Sequence, residues 1–262
     1  MSTTNAQKGT LYLIPVTLGD DNLAKALPPE VVSIVQGLNI FVVENEKTAR
    51  RFLAVIKTLK PVRELSLLTL NERTTEKELS ALLAPLLAGQ DVGLMSEAGC
   101  PGIADPGAQL AALAHRKDIR VAPLVGPSSI LLALMASGFN GQRFTFLGYL
   151  PIEKVRRVQK LMEIEQVSRK NHETQIFIET PYRNQHLLED ILANCQPATS
   201  LCVACNLGLV NERIISKAVA EWKKSALPNL QRYFRLLNLY YQTVRLNVFI
   251  QTITLQEFMF LI

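Results

Sequence analysis

The chain has 262 residues, 48% of them hydrophobic and 19% charged, with a net charge of +5. At roughly 150 residues per domain this is one large domain or two small ones with a real core, which excludes disordered and fibrous classes. No uncharged stretch free of Gly and Pro approaches the ~20 apolar residues that a membrane span requires, and Met1–Thr10 has no apolar block, so neither a membrane anchor nor export is expected.

Short apolar runs alternate with helical patterns along the first half. Leu11–Val16 reads as a strand, Pro28–Gln36 as a helix, Ile40–Val43 as a strand and Lys47–Leu59 as a helix. Glu76–Leu87 reads as one helix, with leucines 79, 82, 83 and 86 on a single face. Val92–Met95 (strand), Ala108–His115 (helix) and Val121–Val125 (strand) complete it. This alternation predicts a mainly parallel sheet covered on both faces. After Gly126 the pattern changes. A helix at Ser128–Ser137 precedes strands at Phe144–Tyr149, Thr174–Glu179, Leu201–Ala204 and Glu212–Ser216. Helices are expected at Val155–Glu165 and Pro181–Cys195. The closely spaced last strands predict a mixed sheet. The expected organisation is an N-terminal α/β domain over 1–124 and a C-terminal α/β domain over 125–230.

Residues 231–262 stand apart as an atypical tail. They lack Gly, Pro, Ala and Lys and hold 7 of the 17 aromatic residues. One reading is a terminal strand plus an apolar helix. The other is a segment from a different reading frame, whose removal after Leu230 would leave solubility unchanged or improved.

Three segments carry candidate chemistry. Ser96–Gly107, SEAGCPGIADPG, directly follows the Val92–Met95 strand. Its density of Gly and Pro makes a tightly turned loop whose backbone can approach a ligand, at the strand end where open α/β sheets bind ligands. It lacks the endings and spacing of phosphate loops. Val125–Ser129 leads into an apolar helix, whose free N–H groups suit a carboxylate or simply take a cap from Ser128. Glu179 ends a strand before Thr180-Pro181-Tyr182-Arg183, and is either a base or ribose ligand, or a partner for Arg183 four residues on. Cys202-x-x-Cys205 sits in an apolar strand pattern without a second pair at metal spacing, so no metal site is expected.

Basic charge is uneven. Residues 1–122 hold 13 basic and 13 acidic residues, and residues 123–262 hold 15 against 10. Arg143, Lys154, Arg156 and Arg157 suit an RNA backbone. Equally, with Glu153, Glu163 and Glu165 interleaved, they suit a solvated helix face.

Together these loops resemble the tetrapyrrole (corrin/porphyrin) methylase superfamily, and within it the small-subunit ribosomal RNA ribose 2′-O-methyltransferase I group. The resemblance runs from Gly9 to about Leu230. Gly9–Tyr12 resembles the opening strand and Leu18-Gly19-Asp20 the first ligand loop. Asn71-Glu72 falls where the group carries Asn-Glu. Ser96–Gly107 is similar to its S-D-A-G-x-P-x-I-x-D-P-G motif, with Glu97 at the motif's Asp. Val125–Ser129 is similar to its P-x-P-G-P segment, and Phe144–Pro151 to R-F-x-x-x-G-F-L-P. The resemblance implies two α/β domains of the class III methyltransferase kind, with S-adenosylmethionine in the cleft between them. It implies cofactor-side roles for Gly19, Glu97, Ala98, Gly99, Pro101, Gly126, Ser128, Ser129 and Phe177, and catalytic roles for Glu179, Glu212 and Asn71. It further implies a homodimer acting on ribosomal RNA or the small ribosomal subunit, while the expected lack of an export signal makes a cytoplasm with reduced thiols the default. The group's A-R-E-L-T-K-x-x-E cluster is altered: its Arg, Glu and Lys are Cys205, Asn206 and Leu209, and Glu212 remains. A tetrapyrrole or other small-molecule methyltransferase, or a non-catalytic S-adenosylmethionine-binding paralogue, are the alternatives.

Overall fold

A computed structural model describes residues 7–19, 22–225 and 258–262. The chain divides into two units, Met1–Ser128 and Ser129–Ile262.

The first unit is built on five parallel strands: β1 (Thr10–Ile14), β2 (Ile40–Val43), β3 (Ser66–Thr69), β4 (Val92–Met95) and β5 (Arg120–Pro123). Their order across the sheet is β3-β2-β4-β1-β5. Between them run α1 (Leu23–Ala26), α2 (Pro29–Gly37), α3 (Glu46–Ile56), α4 (Glu76–Ala81), α5 (Ala84–Leu87) and α6 (Gly107–Arg116). Strand side chains alternate between two cores. Ile14, Phe41, Val43 and Met95 pack with α2 and α3 through Val31, Val35, Phe52 and Leu53. Leu11, Val42, Val92 and Leu94 pack on the other face with Leu79, Leu83, Leu86 and Leu110.

Local chemistry sets the helix ends. The Asn45 side chain accepts the Lys47 N–H at the start of α3, and Thr75 and Glu78 form a reciprocal capping box at α4. The single helix expected over Glu76–Leu87 is in fact two. Pro85, which has no N–H to continue the ladder, sits in the first turn of α5. The sequence reading missed β3, a half-exposed edge strand of four residues, and the single turn of α1.

The second unit carries α7 (Ser129–Ser137), β6 (Phe144–Tyr149), α8 (Lys154–Asn171), β7 (Thr174–Glu179), α9 (Asn184–Asn194), β8 (Ser200–Cys205), β9 (Arg213–Ala218), α10 (Val219–Ser225) and β10 (Phe258–Leu261). Its mixed sheet has the order β6-β7-β10-β8-β9. Among the described residues only β6 and β7 of this sheet pair in parallel, and β10 runs antiparallel to both β7 and β8. Phe177, Leu201, Val203, Cys205 and Phe260 pack under α8, α9 and α10 with Leu161, Leu187, Ile191 and Trp222. The Trp222 indole N–H donates to the Leu201 carbonyl, which pins α10, a helix absent from the sequence reading.

The tail ends inside this unit. Met259, Phe260 and Leu261 are fully buried, and their strand lies in the middle of the sheet. The expectation of a dispensable segment is therefore corrected for 258–262, while residues 226–257 of the tail lie outside the described residues. The terminal-strand reading holds for Phe258–Leu261, and the sequence left it open because a central strand is apolar throughout and lacks the alternation that marks a half-buried one.

Candidate functional site

Within the first unit, β1 and β4 are adjacent strands whose following connections leave toward opposite faces. Such a switch point opens a crevice at the carboxyl edge of a parallel sheet. The loops after β1, β4 and β5 meet there, and Gly99 is their junction. Val16 and Gly99 exchange both backbone hydrogen bonds, at 2.8 and 3.0 Å. A Cβ on Gly99 would lie 3.4 Å from Leu18 Cδ2 and 3.6 Å from the Pro127 carbonyl oxygen. Those are ordinary contact distances, and it is the φ of +69° that favours glycine here. The Cys100 thiol donates to the Pro127 carbonyl at 3.3 Å, tying the loop after β4 to the loop after β5. Gly126 is packed against Pro15 so closely that a Cβ would fall 2.2 Å from the ring.

The loop after β4 is held by its own acid. The Asp105 carboxylate accepts the N–H groups of Gly102, at 2.9 Å to each oxygen, and of Gly107, at 2.7 Å. Burial raises its pKa from the usual value, and those two amides oppose the rise. The Ser96 hydroxyl donates to the Ala98 carbonyl, and the Thr48 hydroxyl to Glu97. Glu44, one residue past β2, has its pKa raised by burial and then by the negative charges of Glu97, Asp105 and Glu72. Turned backbone beside clustered carboxylates suits a small cation and repels a phosphate. Glu44 escaped the sequence reading; its position just after a strand was the available signal.

Gly19, Glu97, Ala98, Gly99, Pro101 and Gly126 all belong to these three loops, and Gly19 has a φ of +122°. Asp20 lies outside the described residues. Ser128 is the last residue of the first unit and Ser129 the first of α7 in the second. Asn71, past the edge strand β3, is folded into a turn in which its side chain accepts the Arg73 N–H and its own N–H donates to Thr74. It sits two strands from β4, roughly 10 Å across the sheet.

In the second unit two expectations are corrected. Phe177 does not line an open site; it is 0% exposed and packs in the core against Phe260. Arg157 does not face a nucleic acid. It is 7% exposed and holds the Asp190 carboxylate through Nε and Nη2 at 2.8 and 2.6 Å, while Nη1 donates to the Ile152 carbonyl. Along α8, Arg157, Leu161, Ile164 and Glu165 follow helical spacing on the inward face. Buried Glu165, read as part of a solvated face, accepts from Gln196 N and from the Thr199 hydroxyl.

Arg143, before β6, and Lys154 and Arg156, after it, flank opposite ends of that strand. Glu179, 1% exposed, accepts the Thr180 N–H at 2.7 Å and pairs with Arg183 at 2.7 Å. That geometry makes it a holder of Arg183. Glu212 accepts the Gly208 N–H at 2.8 Å across the β8–β9 loop, and Asn206, buried with a φ of +54°, begins that loop. Cys202 and Cys205 are three apart on a strand and so point to opposite faces; burial pushes the Cys202 thiol up to about 11. A groove of about 550 Å³ lies among Thr174, Ser200 and His172, at the starting ends of β7 and β8, away from Glu179.

Comparison with known proteins agrees with this architecture. The family model for Tetrapyrrole (Corrin/Porphyrin) Methylases matches residues 10–222. A Vibrio cholerae protein named ribosomal RNA small subunit methyltransferase I is 31% identical over 182 residues, covering 70% of this chain and 59% of that relative. The chain thus spans well under two thirds of that relative's length. The Escherichia coli O157:H7 protein of the same name is 31% identical over 220 residues, covering 84% of this chain and 72% of its own. Among solved structures, diphthine synthase superposes with a TM-score of 0.60 at 12% identity, covering 96% of this chain and 89% of that one. Cobalt precorrin-4 methyltransferase does so with a TM-score of 0.56 at 14% identity, covering 96% and 94%. These two share the fold, two α/β domains of the class III methyltransferase kind.

Proposed function

This chain belongs to the tetrapyrrole (corrin/porphyrin) methylase family, and on that premise we propose that it is an S-adenosylmethionine-dependent methyltransferase that modifies small-subunit ribosomal RNA at a ribose 2′-hydroxyl. The observation that carries the donor half is the Gly99 junction, where three loops converge beside Glu97, Asp105 and Glu44. Main-chain groups there suit the polar ends of such a molecule, and the carboxylates suit its positive charge. When bound, S-adenosylmethionine supplies an electrophilic methyl for in-line displacement. The backbone of Glu97–Pro101 and of Gly126–Ser128 would fix its orientation, a proximity effect of several orders of magnitude at best.

The RNA half is supported by the names of the relatives above and by exposed Lys154 and Arg156. A ribose acceptor must lose its proton. Glu179 is committed to Arg183, so it acts as a positioning group; Glu212 is the carboxylate on an exposed loop that remains. A cytoplasmic homodimer completes the proposal.

The test is calorimetry with S-adenosylmethionine, followed by transfer of labelled methyl to small ribosomal subunits from cells lacking the gene. Alkaline digestion then reads the position, because a 2′-O-methyl blocks cleavage at its own linkage. Absence of donor binding overturns the whole proposal, and donor binding without transfer overturns the RNA half. Replacement of the group's Arg and Glu by buried Cys205 and Asn206 favours one second reading, a donor-binding protein without transfer, which that last outcome would support.

A further inference from the structure

The carboxyl edge of β6 and β7 presents an aromatic arrangement outside the buried core. β7 ends in buried Glu179, and Pro181 turns the chain toward α9. Arg183 reaches back four residues to Glu179 Oε1 at 2.7 Å, and its Nε donates to the Thr180 hydroxyl at 3.2 Å. So held, its guanidinium lies 5.9 Å from the ring centroid of Tyr149 and 5.7 Å from that of Tyr182. Tyr149 ends β6 and pairs in register with Ile178 of β7. The two rings flank one fixed cation on neighbouring strand ends, within cation–π range. Yet they stay in solvent: Tyr149 is 46% and Tyr182 73% exposed. Exposed rings held in place by an arginine paired with a buried carboxylate form a stacking platform.

The surroundings fix the chemistry of the occupant. Five residues past Tyr149, α8 begins, and its first turn carries the exposed cations Lys154 and Arg156, which pair with Asp190 at 3.8 Å and Glu153 at 3.0 Å. Aromatic faces beside cations match unstacked bases on a phosphate backbone.

We infer that the β6–β7 edge of the second unit binds single-stranded RNA, with bases stacked on Tyr182 and Tyr149 and the backbone along Lys154 and Arg156. This rests on the RNA half of the proposed function and specifies its surface. Arg143 lies outside it, at the other end of a six-residue strand, roughly 20 Å away. Glu179 is then a positioning residue, acting through Arg183 on the rings.

The test is fluorescence anisotropy of the full chain with a short labelled single-stranded RNA of mixed sequence, over a range of salt. Tyr182→Ala, on an exposed ring, is expected to weaken binding roughly 5- to 100-fold with an unchanged salt slope. Tyr182→Phe keeps the affinity within about twofold, since stacking needs the ring and not the hydroxyl. Lys154→Ala and Arg156→Ala each lower the salt slope by about 1. An RNA backbone lacking bases should bind the parent and Tyr182→Ala equally. The inference falls if Tyr182→Ala binds mixed-sequence RNA as the parent does, or if its loss persists on the base-free backbone. In either case RNA binding by the parent leaves the broader reading standing. If the parent binds S-adenosylmethionine but no RNA, the platform and the RNA half fall together.

Discussion

The ring of Phe177 on β7 stacks on that of Phe260 on β10, with centroids 5.6 Å apart and planes 2° from parallel. The pair joins residues 83 positions apart in the chain, opposite each other in an antiparallel ladder. It makes the last strand a central element of the second sheet. Without β10, β7 and β8 each lose a neighbour and expose ladder groups that burial requires to be paired.

Phe260→Ala is therefore expected to destabilise the protein by about 3–5 kcal/mol, the usual cost of truncating a buried aromatic side chain. Chemical denaturation measures it. A chain ended after Leu230 should accumulate as insoluble protein, the reverse of what composition suggests. Soluble truncated protein with cooperative unfolding would contradict the central place of β10.

Arg157 and Asp190 clamp α8 to α9. Arg157→Ala leaves a buried carboxylate with its main partner gone and should cost about 3–5 kcal/mol. Replacing both, by Met and Leu, should cost less than either alanine, because no charge is then stranded. A double-mutant cycle in thermal unfolding reads the coupling.

Two glycines of the loop junction in the first unit resist substitution, Gly126 for lack of room and Gly99 for its positive φ. Gly126→Ala drives a methyl into the rigid Pro15 ring, so the loop after β5 must move. S-adenosylmethionine affinity should fall by about tenfold or more, which is about 1.4 kcal/mol. Gly99→Ala adds left-handed strain of about 1 kcal/mol and should act in the same direction. Calorimetry checks both, and unchanged affinity in both variants would remove the donor from this junction.

Glu44 gives a pH dependence of definite sign. Its folded-state pKa lies above the ordinary value of 4.5. Between those two values the folded state holds more protons than the unfolded one. Stability is thus favoured below the ordinary value and lost as pH rises through the raised one. Binding a cation beside the cluster opposes protonation, so donor affinity should weaken as pH falls through the same window. Glu44→Gln should flatten both profiles and stabilise the protein at neutral pH; unfolding and calorimetry across pH follow them. A parent profile that slopes the other way would refute the assignment.

Much of the architecture was legible in the chain. β2, β4, β6 and β7 have the very bounds that their runs in the sequence suggested, because short runs rich in β-branched and aromatic residues leave little choice. The Gly- and Pro-rich stretch of 96–107 marked a tightly turned loop after β4, because those residues write backbone conformation directly into sequence. Side-chain partners were not legible. Arg157 and Arg156 are neighbours with the same charge, yet one is sealed against Asp190 and the other faces water. Helical phase alone separates them, and the phase matters only once α9 supplies the carboxylate. Likewise Glu179 could be a base or an ion-pair partner until Arg183 was placed beside it. The chain by itself determined which segments form strands, helices and tight turns, since those follow from local propensity and hydrophobic period. Tertiary structure alone decided that Phe260 lies beside Phe177, that three distant loops meet at Gly99, and that two tyrosines share one arginine. Such contacts are set by how elements pack across long sequence separations, which no local pattern encodes.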